Sequence, residues 1–249
     1  MHVLMVGVDE STKGGMWTVA KNYLDSEQFA DSTHLKYIST SITGSITGRV
    51  LFTAKALLKI IKELKTGRYD IAHIHMAERG SVYRKNIVVD LARKYGCKVV
   101  LHLHGAEFES WYKGSSNRNK SFVRSVLNKA DGIIILGNYW KEFIGSLIDD
   151  QEKLHVIYNA VRVPDKNPYN SSADCMLFLG VVGQRKGIDD LLQAVKLADS
   201  DLYPSVKLLI YGPDDGYGIG TKINEYELEH RAEYCGWLSQ ENRDRKSVV

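Results

Sequence analysis

Three short stretches of this sequence combine residue types suited to holding a charged ligand. The first runs Val8-Asp9-Glu10-Ser11-Thr12-Lys13-Gly14-Gly15-Met16-Trp17. Adjacent glycines ahead of a helix let backbone N–H groups come close to an anion at the positive end of the helix dipole, and Lys13 adds a mobile cation. The spacing is neither G-x-G-x-x-G nor a Walker P-loop, so it does not point to dinucleotide or nucleoside-triphosphate binding by those routes. A plain tight turn accounts for the glycines equally well.

The second stretch is His102-Leu103-His104-Gly105-Ala106-Glu107-Phe108-Glu109, with His73 and His75 upstream. Each pair of histidines ends an apolar run, and ligands of parallel sheets collect at the carboxyl ends of strands, which makes His104, Gly105 and Glu107 candidates. Satisfied core histidines are the alternative for His73, His75 and His102. No carboxylate stands in recognised ligand spacing with them, and a metal is not expected. The third stretch, Phe178-Leu179-Gly180-Val181-Val182-Gly183-Gln184-Arg185-Lys186-Gly187-Ile188, again puts glycines between a strand and a helix, now with two adjacent cations. Arg185 can clamp two oxygens while Lys186 acts as a point charge, which suits a diphosphate. A solvated turn of ordinary composition is the bland alternative.

These stretches need elements to position them, and the sequence supplies an α/β alternation. Short β-rich runs at 2–7, 34–39, 71–75, 98–103, 132–136 and 154–158 alternate with apolar residues in helical spacing over 16–24, 50–64, 82–95, 122–129 and 140–148. This rhythm builds a parallel sheet with helices on both faces. Pro164 and Pro168 mark an aperiodic stretch, after which strands at 175–179, 206–211 and 233–235 and helices at 188–197 and 221–230 restart the pattern. The expected domains are therefore 1–163, a linker over 164–173, and a partial second domain over 174–243. Three strands and two helices leave sheet edges and one face poorly covered. Residues 244–249 can be back-translated as part of a sequencing-library adapter and are read as a non-native tail.

Composition narrows the class. Hydrophobic residues at 44% and charged residues at 25% are ordinary for a globular protein and exclude disordered or collagen-like chains. The net charge of +3 is uneven: residues 1–165 hold 23 basic against 17 acidic side chains, and the remainder 10 against 13. Random drift explains this, or a basic front half that meets an anionic partner. Cys97, Cys175 and Cys235 lie far apart, as free thiols in a reducing cytosol would. No basic leader opens the chain and no apolar run nears the roughly twenty residues of a membrane span, so neither secretion nor membrane crossing is expected. Lys55, Lys59 and Lys62 share one helical face, set opposite Leu51, Ala54, Leu58 and Ile61. That face is either simply solvated or a peripheral contact with anionic lipid. The cations lack interleaved aromatics, so nucleic acid is not expected as a partner.

Taken in order, K-G-G after the first strand, H-G-x-E-F, A-D-G-I-I-I-L-G-N-Y, V-I-Y-N-A-V, F-L-G-x-x-x-x-R-K-G-x-x-x-L-L, L-x-I-Y-G-P-D and G-W-L-S run through almost the whole chain. This series resembles the large retaining glycosyltransferase family four. The resemblance implies a GT-B fold of two Rossmann-like domains, acceptor mainly on the first and nucleotide-sugar donor mainly on the second, the second incomplete here. It places Gly14 and Gly15 near the donor phosphates and acceptor, and His104 near the transferring sugar. It also places Arg185 and Lys186 on the diphosphate, and Gly212 and Pro213 near the nucleotide. No metal or other cofactor is implied, because the cations stabilise the leaving diphosphate. Implied partners are a nucleotide-sugar donor and a saccharide or lipid-linked acceptor in surface polysaccharide synthesis; a lipid-linked acceptor would give the lysine face an anionic membrane surface to meet on the cytoplasmic side. Two departures stand out. Val181 replaces the Arg of many relatives, and the acidic motif expected beyond Trp237 is absent, which implies that these 249 residues alone do not transfer sugar. A sugar-nucleotide epimerase of similar fold and a non-catalytic binding module are the competing classes.

Overall fold

The computed structural model describes residues 1–12, 14–161, 175–198, 206–214 and 216–238. Lys13, the 164–173 linker and the 244–249 tail lie outside the described residues. The chain divides into two units, Met1–Val161 and Arg162–Val249.

The first unit alternates strand and helix. Its elements are β1 (His2–Gly7), α1 (Gly15–Leu24), α2 (Glu27–Ser32), β2 (His34–Ser39), α3 (Ile46–Leu64), β3 (Ile71–Met76), α4 (Gly80–Lys94), β4 (Lys98–Leu103), α5 (Phe108–Lys113), α6 (Asn117–Asn128), β5 (Gly132–Ile135), α7 (Tyr139–Gly145) and β6 (Leu154–Val156). All neighbouring strands pair in parallel, in the order β2-β1-β3-β4-β5-β6. Val3 through Val6 of β1 and Ile133 through Ile135 of β5 are buried, as continuous apolar runs in a sheet covered on both faces must be. From β1 the chain first builds outward to β2, then returns to place β3 on the other side. The switch point of the sheet is therefore at the carboxyl ends of β1 and β3, where doubly wound folds bind ligands.

Helix starts differ from the periodicity in instructive ways. The helix expected over 50–64 begins at Ile46, because Ser45 caps it by accepting a hydrogen bond from Gly48 N at 3.3 Å. Likewise Ser116 caps α6 by accepting from Asn119 N, and adds a turn ahead of the expected start. The six-residue helices α2 and α5 are too short to show a period and were not foreseen. The lysine face of α3 also needs correcting. Its buried stripe is Ala56, Ile60 and Leu64, spaced four apart, whereas Leu51 is 57% exposed, Leu58 is 69% exposed, and Ala54 is exposed too. The helix carries two apolar stripes, and the core takes only one of them.

The described part of the second unit holds β7 (Cys175–Leu179), α8 (Ile188–Leu197), β8 (Lys207–Tyr211), α9 (Ile219–Glu225) and β9 (Ala232–Gly236), a parallel sheet in the order β7-β8-β9. Val182, Ile188, Leu192, Leu208, Ile210, Ile219 and Leu228 form a core of its own. Leu177 and Leu179 alternate outward and are exposed. The helix expected over 221–230 starts earlier because the Asp214 carboxylate accepts from Gly218 N and Ile219 N. It stops at Glu225, and Glu227 then takes a left-handed φ of 60°. Cys97 is buried, its Sγ donating to Tyr69 O, while Cys175 and Cys235 are half-buried.

Candidate functional site

In the first unit the candidate residues gather at the carboxyl ends of β1, β3 and β4. Gly14 caps α1 at φ 155°, a backbone angle that side chains disfavour, and no side chain occupies the cap. Open space surrounds both Gly14 and Gly15. The loop before them is tied down by Asp9. Its N–H bonds Ser41 O at 2.9 Å, and its carboxylate accepts from Ser11 N at 3.1 Å and Ser39 Oγ at 3.3 Å. The Ser11 N–H holds this carboxyl below its usual range against the opposing effect of partial burial. At the root of the loop Gly7 is required for space, since a Cβ there would lie 2.3 Å from Tyr37 Oη, which donates to Val8 O.

Lys85 was not foreseen from sequence. It enters from α4, fully buried, and donates to Gly7 O at 3.0 Å and Thr40 Oγ1 at 2.6 Å, while Thr40 N also bonds Gly7 O at 3.0 Å. Burial drives its amine well below the ordinary value, and neighbouring Arg84 adds to the effect. The lysine thereby clamps the ends of β1 and β2 together. A signal was available: Lys85 stands three residues from both Val82 and Val88, squarely in the buried stripe of α4.

The four histidines form one group on one face of the sheet. His73 and His75 stack at 4.7 Å, His75 and His102 at 5.0 Å, and His102 and His104 approach to 4.2 Å. His73 Nε2 lies 3.2 Å from His102 Nδ1, and His75 Nδ1 lies 2.8 Å from His104 Nε2. Tyr23 of α1 closes the group edge-on, 5.3 Å from His73 and 6.4 Å from His75 and His102. Burial lowers every one of these rings below the usual histidine value: His73 to about 4, His102 to about 2, His104 to about 4 and His75 furthest. His73, His75 and His102 are thus core histidines in contact with one another, and His104 is the half-buried member nearest the end of β4. Beside it Gly105 passes so close to Glu78 that a Cβ would lie 3.0 Å from Glu78 N and 1.8 Å from Glu78 Oε2. Arg79, at a left-handed φ of 59°, reaches across to Glu107 at 3.2 Å.

In the second unit the glycines meet where its three strands end. Gly212 has φ 144°, and a Cβ on it would fall 1.6 Å from Gly180 O. Gly180 N bonds Tyr211 O at 3.0 Å, Val182 N bonds Pro213 O at 3.0 Å, and Gly212 N bonds Gly236 O at 2.8 Å. From this junction the chain makes a short turn at Gln184–Lys186, closed by Lys186 N to Gly183 O and Gly187 N to Gln184 O, both 2.9 Å. Gly187, left-handed at φ 70°, then opens α8. Arg185 and Lys186 are adjacent and exposed on that turn. The predicted residues therefore fall into two sets: Gly14, Gly15 and His104 in the first unit, and Arg185, Lys186, Gly212 and Pro213 in the second.

Two Rossmann-like units, each ending its strands in glycine turns that run into helices, are the building blocks of the GT-B fold. The comparisons agree. Residues 21–163 match the Glycosyltransferase Family 4 profile, and the chain belongs to that family. It is 27% identical over 256 residues to a 41.2 kDa protein in the cps region of Klebsiella pneumoniae, covering 94% of this chain and 69% of that one. Among solved structures it is similar to Anabaena HepE, determined with UDP and glucose, at a TM-score of 0.64 and 16% identity over 96% of this chain and 70% of HepE. It is also similar to the lipopolysaccharide outer core galactosyltransferase WaaB, at a TM-score of 0.60 and 19% identity over 99% of this chain and 71% of WaaB. Among the described residues no helix is long and apolar enough to cross a membrane.

Proposed function

We propose that this protein takes part in moving a sugar, with retention of configuration, from a nucleoside-diphosphate sugar to a saccharide or lipid-linked saccharide in surface polysaccharide synthesis. The observation that carries this is the glycine-bounded turn bearing Arg185 and Lys186, set beside the Gly180–Gly212 junction at the carboxyl ends of β7 and β8. A leaving diphosphate needs its developing charge neutralised, and a planar fork next to a point charge does that without a metal ion. Solved relatives bound to UDP, and a curated relative in a cps region, support the donor class and the setting.

In this reading Gly14 and Gly15 lie near the donor phosphates and acceptor, His104 lies beside the transferring sugar, and Gly212 and Pro213 border the nucleotide. The transfer runs without a resident metal. His73, His75 and His102 do bring one nitrogen each within 4.8 Å of the others. Two of those rings already bond one another, no carboxylate among the described residues joins them, and Lys85 opposes a further positive charge nearby. The acceptor side works at an anionic membrane surface on the cytoplasmic face, through α3.

Calorimetric titration with UDP tests the donor assignment. Binding is expected to survive a chelator, and Arg185→Ala and Lys186→Ala are each expected to weaken it by about tenfold or more. No binding, or equal binding by the double variant, would overturn the assignment.

A further inference from the structure

A neutral imidazole carries one N–H and one lone pair, so a hydrogen bond between two histidines decides where both protons sit. At neutral pH the four clustered rings are neutral, since burial lowers them all. Between His75 Nδ1 and His104 Nε2, 2.8 Å apart, one nitrogen must donate. The other nitrogen of His75 settles which. Its Nε2 is buried, and no group among the described residues lies within hydrogen-bond reach of it. A proton there would be an orphaned buried donor, and these are rarer in proteins than under-satisfied acceptors. His75 therefore keeps its proton on Nδ1 and donates it. The His73–His102 pair repeats the pattern: His102 Nε2 is likewise buried without a partner among the described residues, so His102 Nδ1 donates to His73 Nε2.

We propose that His75 is a positioning residue for His104: its Nδ1–H occupies His104 Nε2 and so fixes the His104 proton on Nδ1, presenting that nitrogen as a hydrogen-bond donor for a sugar oxygen. Placing a sugar at His104 rests on the function proposed above; the proton arrangement does not. His75 is held in place by stacking on His73 and His102 and by the edge of Tyr23, so its ring cannot turn to exchange nitrogens without displacing three neighbours. Strand register supplies the arrangement, since His75 pairs directly with His102 across β3 and β4, two residues before His104.

The test is long-range proton–nitrogen NMR on the whole chain labelled with 15N-histidine, which reads the tautomer of each ring. In the unsubstituted protein His75 and His104 are both expected in the Nδ1–H form. In His75→Leu, His104 is expected to lose that form and shift to Nε2–H, which free imidazole favours in water. In His75→Asn, whose amide N–H stands where His75 Nδ1–H was, the Nδ1–H form of His104 is expected to be retained. A His104 proton on Nε2 in the unsubstituted protein overturns the proposal, even should His75→Leu fail to fold, and so does a His104 tautomer that His75→Leu leaves unchanged. UDP titration of the same samples reports on the donor reading separately, so either idea can fail without the other.

Discussion

Single residues in this chain are constrained by what a neighbouring atom forbids. At Gly212 a methyl group would overlap the Gly180 carbonyl, and the backbone angle is one that L-residues avoid, so two independent penalties coincide. Gly212→Ala is expected to destabilise the second unit by more than about 1 kcal/mol and to abolish UDP binding, whereas Gly183→Ala, with open space around it, is expected to be tolerated; denaturant melts of both variants check this. Gly212 was legible in the sequence only through its motif, because the crowding comes from a carbonyl 32 positions away in the chain. Lys85 shows the opposite failure. Its place among valines in α4 was visible, yet a lysine reads as a surface residue unless the acceptors that compensate its burial are known, and Gly7 O and Thr40 Oγ1 come from the ends of two strands far away in the chain.

At the scale of elements, β3 and β4 set four imidazoles side by side, and this has a pH cost whose sign is fixed. Each folded-state value lies below the ordinary 6.5, so the unfolded chain binds more protons below that pH and stability falls with acidification. The histidine contribution is expected to be flat above about pH 6.5 and to lower stability towards about pH 4, with a slope of up to about 1.4 kcal/mol per pH unit for each ring. Urea unfolding at stepped pH measures it, and a flat profile over that window would contradict the arrangement. For α3 the exposed Ile46, Val50, Leu51 and Leu58 lie among Arg49, Lys55, Lys59 and Lys62, an apolar strip with cations beside it. Vesicles containing phosphatidylglycerol are expected to co-sediment the protein, vesicles of phosphatidylcholine alone much less, and Leu51→Ser/Leu58→Ser to reduce the difference. Indifference to anionic lipid would remove the membrane partner. The strands themselves were readable as apolar runs ended by polar or glycine turns. The strand order, and with it the meeting of His75 and His104, was not, because parallel register depends on crossovers that carry no local signal.

At the scale of the whole molecule, each unit buries its own core, Leu4, Ile60, Ile74, Leu101 and Ile133 in one and Ile188, Leu192, Leu208 and Ile219 in the other. Calorimetry is expected to resolve two unfolding transitions, and UDP to raise the one that Gly212→Ala lowers. A single transition that moves as one with nucleotide would refute this. The repeated α/β rhythm on either side of the prolines made two units legible, because hydrophobic periodicity restarts within each. The cysteines follow the same division: the one thiol of the first unit is sealed in its core, while both thiols of the second stand on strands that reach solvent. An alkylating dye applied to the native protein would therefore mark the second unit alone, giving that half a built-in optical reporter with no engineered label.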